Sequence, residues 1–380
     1  MFLRHLALAA ACVVALCAGP ANSQEMKVGI TADFTGATAA VGAPFKLAAE
    51  IFPDHVGGVP VKWIVLDDGG NTSTTVKNAR KFIDEDKVDI ILGSNTIPST
   101  MAMFTPAAQS GTPQIAMVPV DIPSEQRAWL FNLPQSAKIM VGAIVDDMKS
   151  RNFKRVAFIG YNDGWGELNW KNFEQLATAA GLQIVAKELY SRTDTSVTAQ
   201  VLKLLDANPD AVFVGASATP ATLPHLTLKD QGFKGQIYHT HGAVSKPFLN
   251  AGGKQLEGAI LPTGPIVVAA GLPDANPIKK VALDFEAKYT AKYGPGAPSP
   301  FAGYAWDAML LLNAAVPDAA AKAKPGTPEF RAALRDSLAS GREVVGTHAV
   351  YKFTDQDRYG VDARSRVLVI VKNGAFALYK

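Results

Sequence analysis

From Met26 onward, short apolar runs rich in β-branched residues alternate with stretches whose apolar positions recur at helical spacing. Val28-Gly29-Ile30, Val61 to Leu66, Val88 to Leu92 and Gln114 to Val118 are each followed by polar or glycine residues and then by such a stretch. Val76, Ala79 and Phe82 put one apolar stripe on a helix entered through Asn71-Thr72-Ser73, and Gly93 closes the strand that follows. A second series runs through Val156 to Ile159, Ile184 to Leu189, Ala211 to Val214, Ile237-Tyr238 and Ala259 to Leu261, with Phe173, Leu176, Ala177 and Ala180 lining one intervening helix. Strand to strand, both series repeat every ~25 to 35 residues, the length of a βαβ unit. Strands apolar at successive positions are covered on both faces, so the pattern predicts an α/β protein of two doubly wound, Rossmann-like lobes.

After Pro262 the order changes. Proline-rich turns lead into long helical stretches (Ile278, Val281, Ala282, Phe285 and Tyr289; Tyr304 to Ala315; Phe330 to Leu338). Strand-like segments then follow at Ala349 to Phe353, Val367 to Val371 and Ala375 to Tyr379. As a domain of their own these pieces would lack a sheet core. The late helices are therefore expected to return to the first lobe and the last strands to the second. That assigns 24–132 plus 264–345 to one lobe and 133–263 plus 346–380 to the other. Three crossings then make a three-segment hinge, which permits bending and restricts twist.

The length of 380 residues exceeds the ~250 to 300 at which single cores stop growing, in keeping with two lobes. A net charge of only +3, with no basic or acidic block, implies no nucleic-acid partner. The first 23 residues read as a secretory signal peptide: Arg4-His5, an apolar run from Leu6 to Ala18, the Gly19-Pro20 break and the small residues Ala21-Asn22-Ser23. That run falls short of the ~20 apolar residues that cross a bilayer, so cleavage near Gln24 is expected rather than anchoring. Cys12 and Cys17 both lie inside it, which leaves the processed chain to rely on packing instead of disulfides.

Enzymatic signatures are missing. The sequence has no G-x-G-x-x-G, P-loop, H-E-x-x-H or G-x-S-x-G motif, so no enzymatic activity and no cofactor are expected. His239-Thr240-His241 could place two imidazoles on one face of a strand end, but no carboxylate or cysteine ligand stands nearby in the sequence, and a polar strand terminus is preferred to a metal site. Asp67-Asp68 point to opposite faces of a strand, which argues against a catalytic pair.

Several stretches resemble a known family. They are Val28 to Gly42 (VGITADFTGATAAVG), Leu66-Asp67-Asp68-Gly69 with Val76 to Lys81, Asp84 to Gly93 (DEDKVDIILG), Ala157 to Gly166 (AFIGYNDGWG) and Tyr304 to Ala308 (YAWDA). In this order they resemble the extracytoplasmic solute-binding proteins of branched-chain-amino-acid-type ABC importers. The resemblance implies a type I periplasmic binding protein fold, whose two lobes close on a small molecule and present it to permease subunits in the inner membrane. It also implies a periplasmic, monomeric protein without catalytic function.

In doubly wound sheets ligands lie beyond the carboxyl ends of the strands, which directs attention to the loops after each apolar run. Ser94 to Thr100 (SNTIPST) leads from a strand into a helix, and Asn95, Thr96 and Ile97 offer amide, hydroxyl and backbone N–H donors to a carboxylate. Pro119-Val120-Asp121 follows the next strand. The resemblance puts Asp121 where amino-acid-binding relatives carry a ligand-holding threonine, and His241 where they carry the glutamate that pairs with the ligand's ammonium. It also makes Trp165 the aromatic wall, with Val41 in place of a larger residue. Phe34 and Phe301 are candidate apolar walls, and Ser217, in the loop after Ala211 to Val214, completes the set. Without the glutamate a buried ammonium lacks its counter-charge, so an apolar monocarboxylate of benzoate or phenylpropanoid type is expected instead of an amino acid, with protonated His241 joining its donors. A branched-chain or other amino acid in the same transport role, or a ligand-sensing protein of the same fold, is the alternative.

Overall fold

A computed structural model describes residues 24–121, 127–294 and 299–379. The expected signal peptide lies outside the described residues.

The first series forms β1 (Met26–Ala32), α1 (Ala39–Ala49), β2 (His55–Val56), β3 (Val59–Asp67), α2 (Thr72–Arg80), β4 (Ile90–Leu92), α3 (Ile97–Gln109), β5 (Gln114–Ala116) and β6 (Leu130–Asn132). The second forms α4 (Ala137–Ser150), β7 (Arg155–Tyr161), α5 (Gly164–Ala179), β8 (Gln183–Tyr190), α6 (Thr198–Asp206), β9 (Ala211–Gly215), α7 (Thr222–Asp230), β10 (Gln236–His239), α8 (Lys246–Gly252) and β11 (Ile260–Thr263). The chain then continues through α9 (Pro277–Tyr293), α10 (Pro300–Ala320), α11 (Pro328–Leu338), β12 (Val344–Val345), β13 (Val350–Tyr351), β14 (Val367–Lys372) and β15 (Ala375–Leu378).

One sheet has the order β2-β3-β1-β4-β5-β6, parallel except for β2, and the other has the order β15-β14-β11-β10-β9-β7-β8, in which β14 alone runs against the rest. The expected α/β architecture of two Rossmann-like lobes is what forms. Helices α9 to α11 return to the first lobe, where Phe285, Leu312 and Phe330 share a core with Val28, Ile30 and Phe45. Strands β14 and β15 complete the second sheet. Local chemistry starts the helices: Asn71 caps α2 through Ser73 and Thr74 N–H, as its place in the sequence suggested.

One segment departs from expectation. Ala349 to Phe353 does not complete the second lobe; among the described residues β13 pairs only with β12, and Ala349, Val350, Tyr351 and Phe353 pack in the first-lobe core. The cause is Asp307, buried in α10, whose carboxylate accepts from Thr347 N (2.5 Å), His348 N (3.0 Å) and the Tyr351 hydroxyl (2.9 Å). The chain therefore makes its last crossing after Phe353. The three connections are laced together near Tyr304, whose hydroxyl donates to Gln135 Oε1 (2.5 Å), while Gln135 Nε2 donates to Ser365 O (2.6 Å). The His348 ring stacks on Tyr304 at 3.7 Å and lies against Gly264.

The helices that follow β1 and β7 approach the ends of those strands unusually closely. A Cβ at Gly42 in α1 would sit 2.0 Å from Asp33 O, and one at Gly166 in α5 would sit 1.8 Å from Tyr161 O. Both obstacles are backbone, which cannot swing aside. Gly42→Ala and Gly166→Ala are each expected to destabilise the protein by at least ~1 to 3 kcal/mol in urea unfolding, the usual range for an overpacked core; stability unchanged within error would contradict the contact.

Candidate functional site

The carboxyl ends of the two parallel sheets face each other, and the loops that leave them enclose a cavity of about 460 Å³ of atom-free space, part of it continuous with solvent. The lobes are closed on it. Ile97, at the start of α3, would lie 3.1 Å from a Cβ at Gly164, at the start of α5, and Phe104, Ala116 and Val118 share a buried cluster with Ile159 and Trp165 of the other lobe.

From the first lobe the wall takes Thr38 at the start of α1 and Val41 in its first turn, Asn95 to Ile97, Met117 to Pro119 after β5, and Phe301 and Tyr304 from α10. Pro134 of the first crossing adds to it, and the second lobe contributes Trp165, Arg192, Ser217, His241 and Gly242. Trp165, Arg192 and Ser217 follow the ends of β7, β8 and β9, and His241 with Gly242 follows β10, in keeping with the doubly wound topology.

Asn95 is fixed by a backbone donor: Asp33 N–H gives its hydrogen bond to Asn95 Oδ1 at 2.7 Å, which leaves Nδ2 without a protein partner. Thr96 caps α3 through Ser99 N, and Thr38 is held by Asp33, whose Oδ2 accepts from both its N–H and its hydroxyl. Burial raises the Asp33 carboxyl above its ordinary pKa. In the second lobe Arg192 Nε donates to Asp163 Oδ2 (2.6 Å), Nη1 donates to Ser217 Oγ (3.2 Å), and the guanidinium lies 4.1 Å from the Tyr161 ring centre. Trp165 meets His241 edge-on at 5.3 Å. The indole Nε1 and the His241 Nδ1 both lack a protein partner.

Asn95, Thr96, Ile97, Pro119, Trp165, Ser217, His241 and Phe301 are thus brought together around one cavity. Phe34 and Asp121 are not. Phe34 packs against the first-lobe core while its N–H donates to Asp67 Oδ1 (2.9 Å). Asp121 is turned outward because its neighbour Val120 is pinned on both sides by Asn132, and its carboxylate accepts from the Tyr359 hydroxyl (3.1 Å). His241 is not the cation expected of it: burial pushes its pKa down from 6.5 to about 4, so it is neutral near pH 7. Arg192 is the charged side chain of the wall, with Asp163 as its counter-charge. It follows β8 as Ser217 follows β9, so the same strand-end rule reaches it. The neighbouring polar residues meet other needs: Asp67 and Asp68 accept from Gly69 and Gly70 N–H and from Thr35 and Ser94 hydroxyls, forming a turn, and His239 turns away from His241 to bond His225 at 2.9 Å.

Residues 25–361 match the family described as periplasmic binding protein. The chain belongs to that family. A crystal structure of an extracellular ligand-binding receptor from Rhodopseudomonas palustris HaA2 is 43% identical, with a TM-score of 0.91 over 94% of this chain and 100% of the other. The Leu/Ile/Val-binding protein BraC3 of Rhizobium johnstonii is 23% identical over 89% of both chains. A leucine binding protein, LivK, from Thermotoga maritima shares the fold at a TM-score of 0.79 and 22% identity, covering 93% of this chain and 98% of that one. The two-lobe architecture is therefore that of the binding proteins of branched-chain-amino-acid-type transporters. Among the described residues no helix is long and apolar enough to cross a membrane.

The buried imidazoles give this periplasmic binding protein a pH signature. His225 and His241 are both held neutral with pKa values near 4, below their unfolded 6.5, so their contribution to stability is complete above pH 6.5 and is lost as the pH falls toward 4. An NMR titration of the His241 imidazole in the unliganded protein is expected to hold the neutral form down to about pH 4. A midpoint between 6 and 7 would restore the cationic role.

Proposed function

We propose that this periplasmic binding protein captures a small apolar monocarboxylate, of aromatic benzoate or phenylpropanoid type, and delivers it to ABC permease subunits. The observation that carries this reading is the charge inventory of the cavity wall: Arg192 is its charged side chain, and no carboxylate belongs to it among the described residues. An amino acid's ammonium would be desolvated there without a counter-charge, at a cost of several kcal/mol. Its carboxylate would be welcome. Asn95 Nδ2, the Thr96 hydroxyl and the first turn of α3 offer donors and a positive helix end on one side. Trp165, Phe301 and Tyr304, with Val41, Ile97 and Met117, offer a flat apolar body its surroundings.

Magnitudes fit an anion of this kind. Burial of about 100 Å² of ring at ~25 cal/mol/Å² gives roughly 2.5 kcal/mol, so of the ~8 kcal/mol behind micromolar affinity the polar contacts carry the larger share. With Asp121 turned outward, no acid of the described wall takes over the ammonium-pairing role, which weighs against branched-chain amino acids. The cavity's place between two closed lobes supports capture and release by hinge bending.

Titration calorimetry of the processed protein with aryl monocarboxylates and with leucine, isoleucine and valine tests the reading. The preferred acid is expected to bind at least tenfold tighter, a gap of ~1.4 kcal/mol. Trp165→Ala should weaken that acid, and His241→Glu should weaken it further by setting an anion against its carboxylate. Tighter binding of a branched-chain amino acid would overturn the assignment.

A further inference from the structure

Unpartnered polar groups line both lobes of the cavity, yet a carboxylate at the start of α3 engages only the first-lobe set. We propose that the second lobe holds a neutral oxygen, a hydroxyl or carbonyl, carried at the end of the acid opposite its carboxylate. This rests on the monocarboxylate reading above and adds a second recognition point to it.

Three side chains define the second set. Trp165 and His241 are each only 5% exposed and Ser217 7%; Trp165 Nε1 and His241 Nδ1 have no protein partner. Gly242 lets them converge, since a Cβ there would lie 2.7 Å from Ser217 Cβ and 2.9 Å from Trp165 Cζ2, beside the indole N–H. The indole can only donate. Ser217 Oγ already accepts from Arg192, which frees its own proton to be donated. His241, held neutral by burial, has one nitrogen that donates and one that accepts. A hydroxyl accepts from the indole and gives its proton to the imidazole; a carbonyl accepts from the indole and the serine. Either leaves fewer buried groups unmatched than an unsubstituted ring does, and mismatched buried polar groups are where binding sites discriminate most.

Charge decides between a neutral oxygen and a second carboxylate. Arg192 is the cation on this side, and Asp163 answers it at 2.6 Å. The second lobe's contribution to the wall is therefore close to electrically balanced. The first lobe's is not: its donors and the α3 terminus face the cavity, while Asp33 stands behind Thr38 and burial disfavours its charged form. One anionic and one neutral end is the arrangement this polarity fits.

Calorimetry with 3-phenylpropanoate, its para-hydroxy derivative and its para-carboxy derivative tests the assignment. The hydroxy acid is expected to bind at least tenfold tighter than the parent, and the diacid weaker than the hydroxy acid. In Trp165→Phe, which keeps a ring and removes the N–H, the ratio of hydroxy acid to parent should collapse toward one, whatever loss the two share. Ser217→Ala provides a second variant, in which the ratio should also fall. Equal affinities of parent and hydroxy acid in the unmodified protein would overturn the second subsite while leaving the monocarboxylate reading intact, and a preference for the diacid would overturn its neutrality. If none of the three binds while an amino acid does, both readings fall together.

Discussion

The second half of the cleft depends on the ion pair between Asp163 and Arg192. One oxygen of Asp163 accepts from Trp165 and Gly166 N–H and so fixes the first turn of α5, the turn that carries the aromatic wall. The other holds the guanidinium at 2.6 Å, where it also rests on the Tyr161 ring and reaches Ser217. With side chains 19% and 25% exposed, the pair lies between surface pairs worth ~0 to 1 kcal/mol and buried ones whose disruption costs ~3 to 5 kcal/mol. Its greater effect is on the cavity. A cation already answered by its own lobe can lend hydrogen bonds without attracting a second anion, and the net pull on a ligand's carboxylate is left to the first lobe.

The hinge is tied to the same cavity. Tyr304 stands on the wall, donates to Gln135 in the first crossing, and through Gln135 is linked to Ser365 in the third. Its ring stacks on His348, which donates through Nε2 to Pro300 O at 2.7 Å and lies against Gly264 in the second crossing. A ligand that packs on Tyr304 therefore touches a residue common to all three connections. Rigid contacts of this kind let a small molecule's differential binding favour one lobe arrangement over another.

Much of this was legible in the sequence because parallel strands buried on both faces leave unbroken apolar runs, and the loops after such runs carry the site. For Ala349 to Phe353 the strand pattern does not reveal the partner sheet, which is set by Asp307, a buried acid that collects three donors from a distant segment. The strand-end rule reaches His241, but not its charge, because burial by residues from other elements decides its protonation. The role of Arg192 is hidden in the sequence because it comes from Asp163 and Tyr161, neither of which is near it along the chain. The resemblance puts Asp121 at a ligand-holding position, yet the Asn132 clasp on Val120 turns it to the surface.

The central claim is that this cleft accepts an anion and has no counter-charge for an ammonium. It is tested most directly by one matched pair in calorimetry at neutral pH, 3-phenylpropanoate against phenylalanine, which differ by the α-amino group alone. The account predicts at least tenfold tighter binding of the acid without the amine, ~1.4 kcal/mol or more. Phenylalanine binding as tightly as phenylpropanoate, or more tightly, would contradict it.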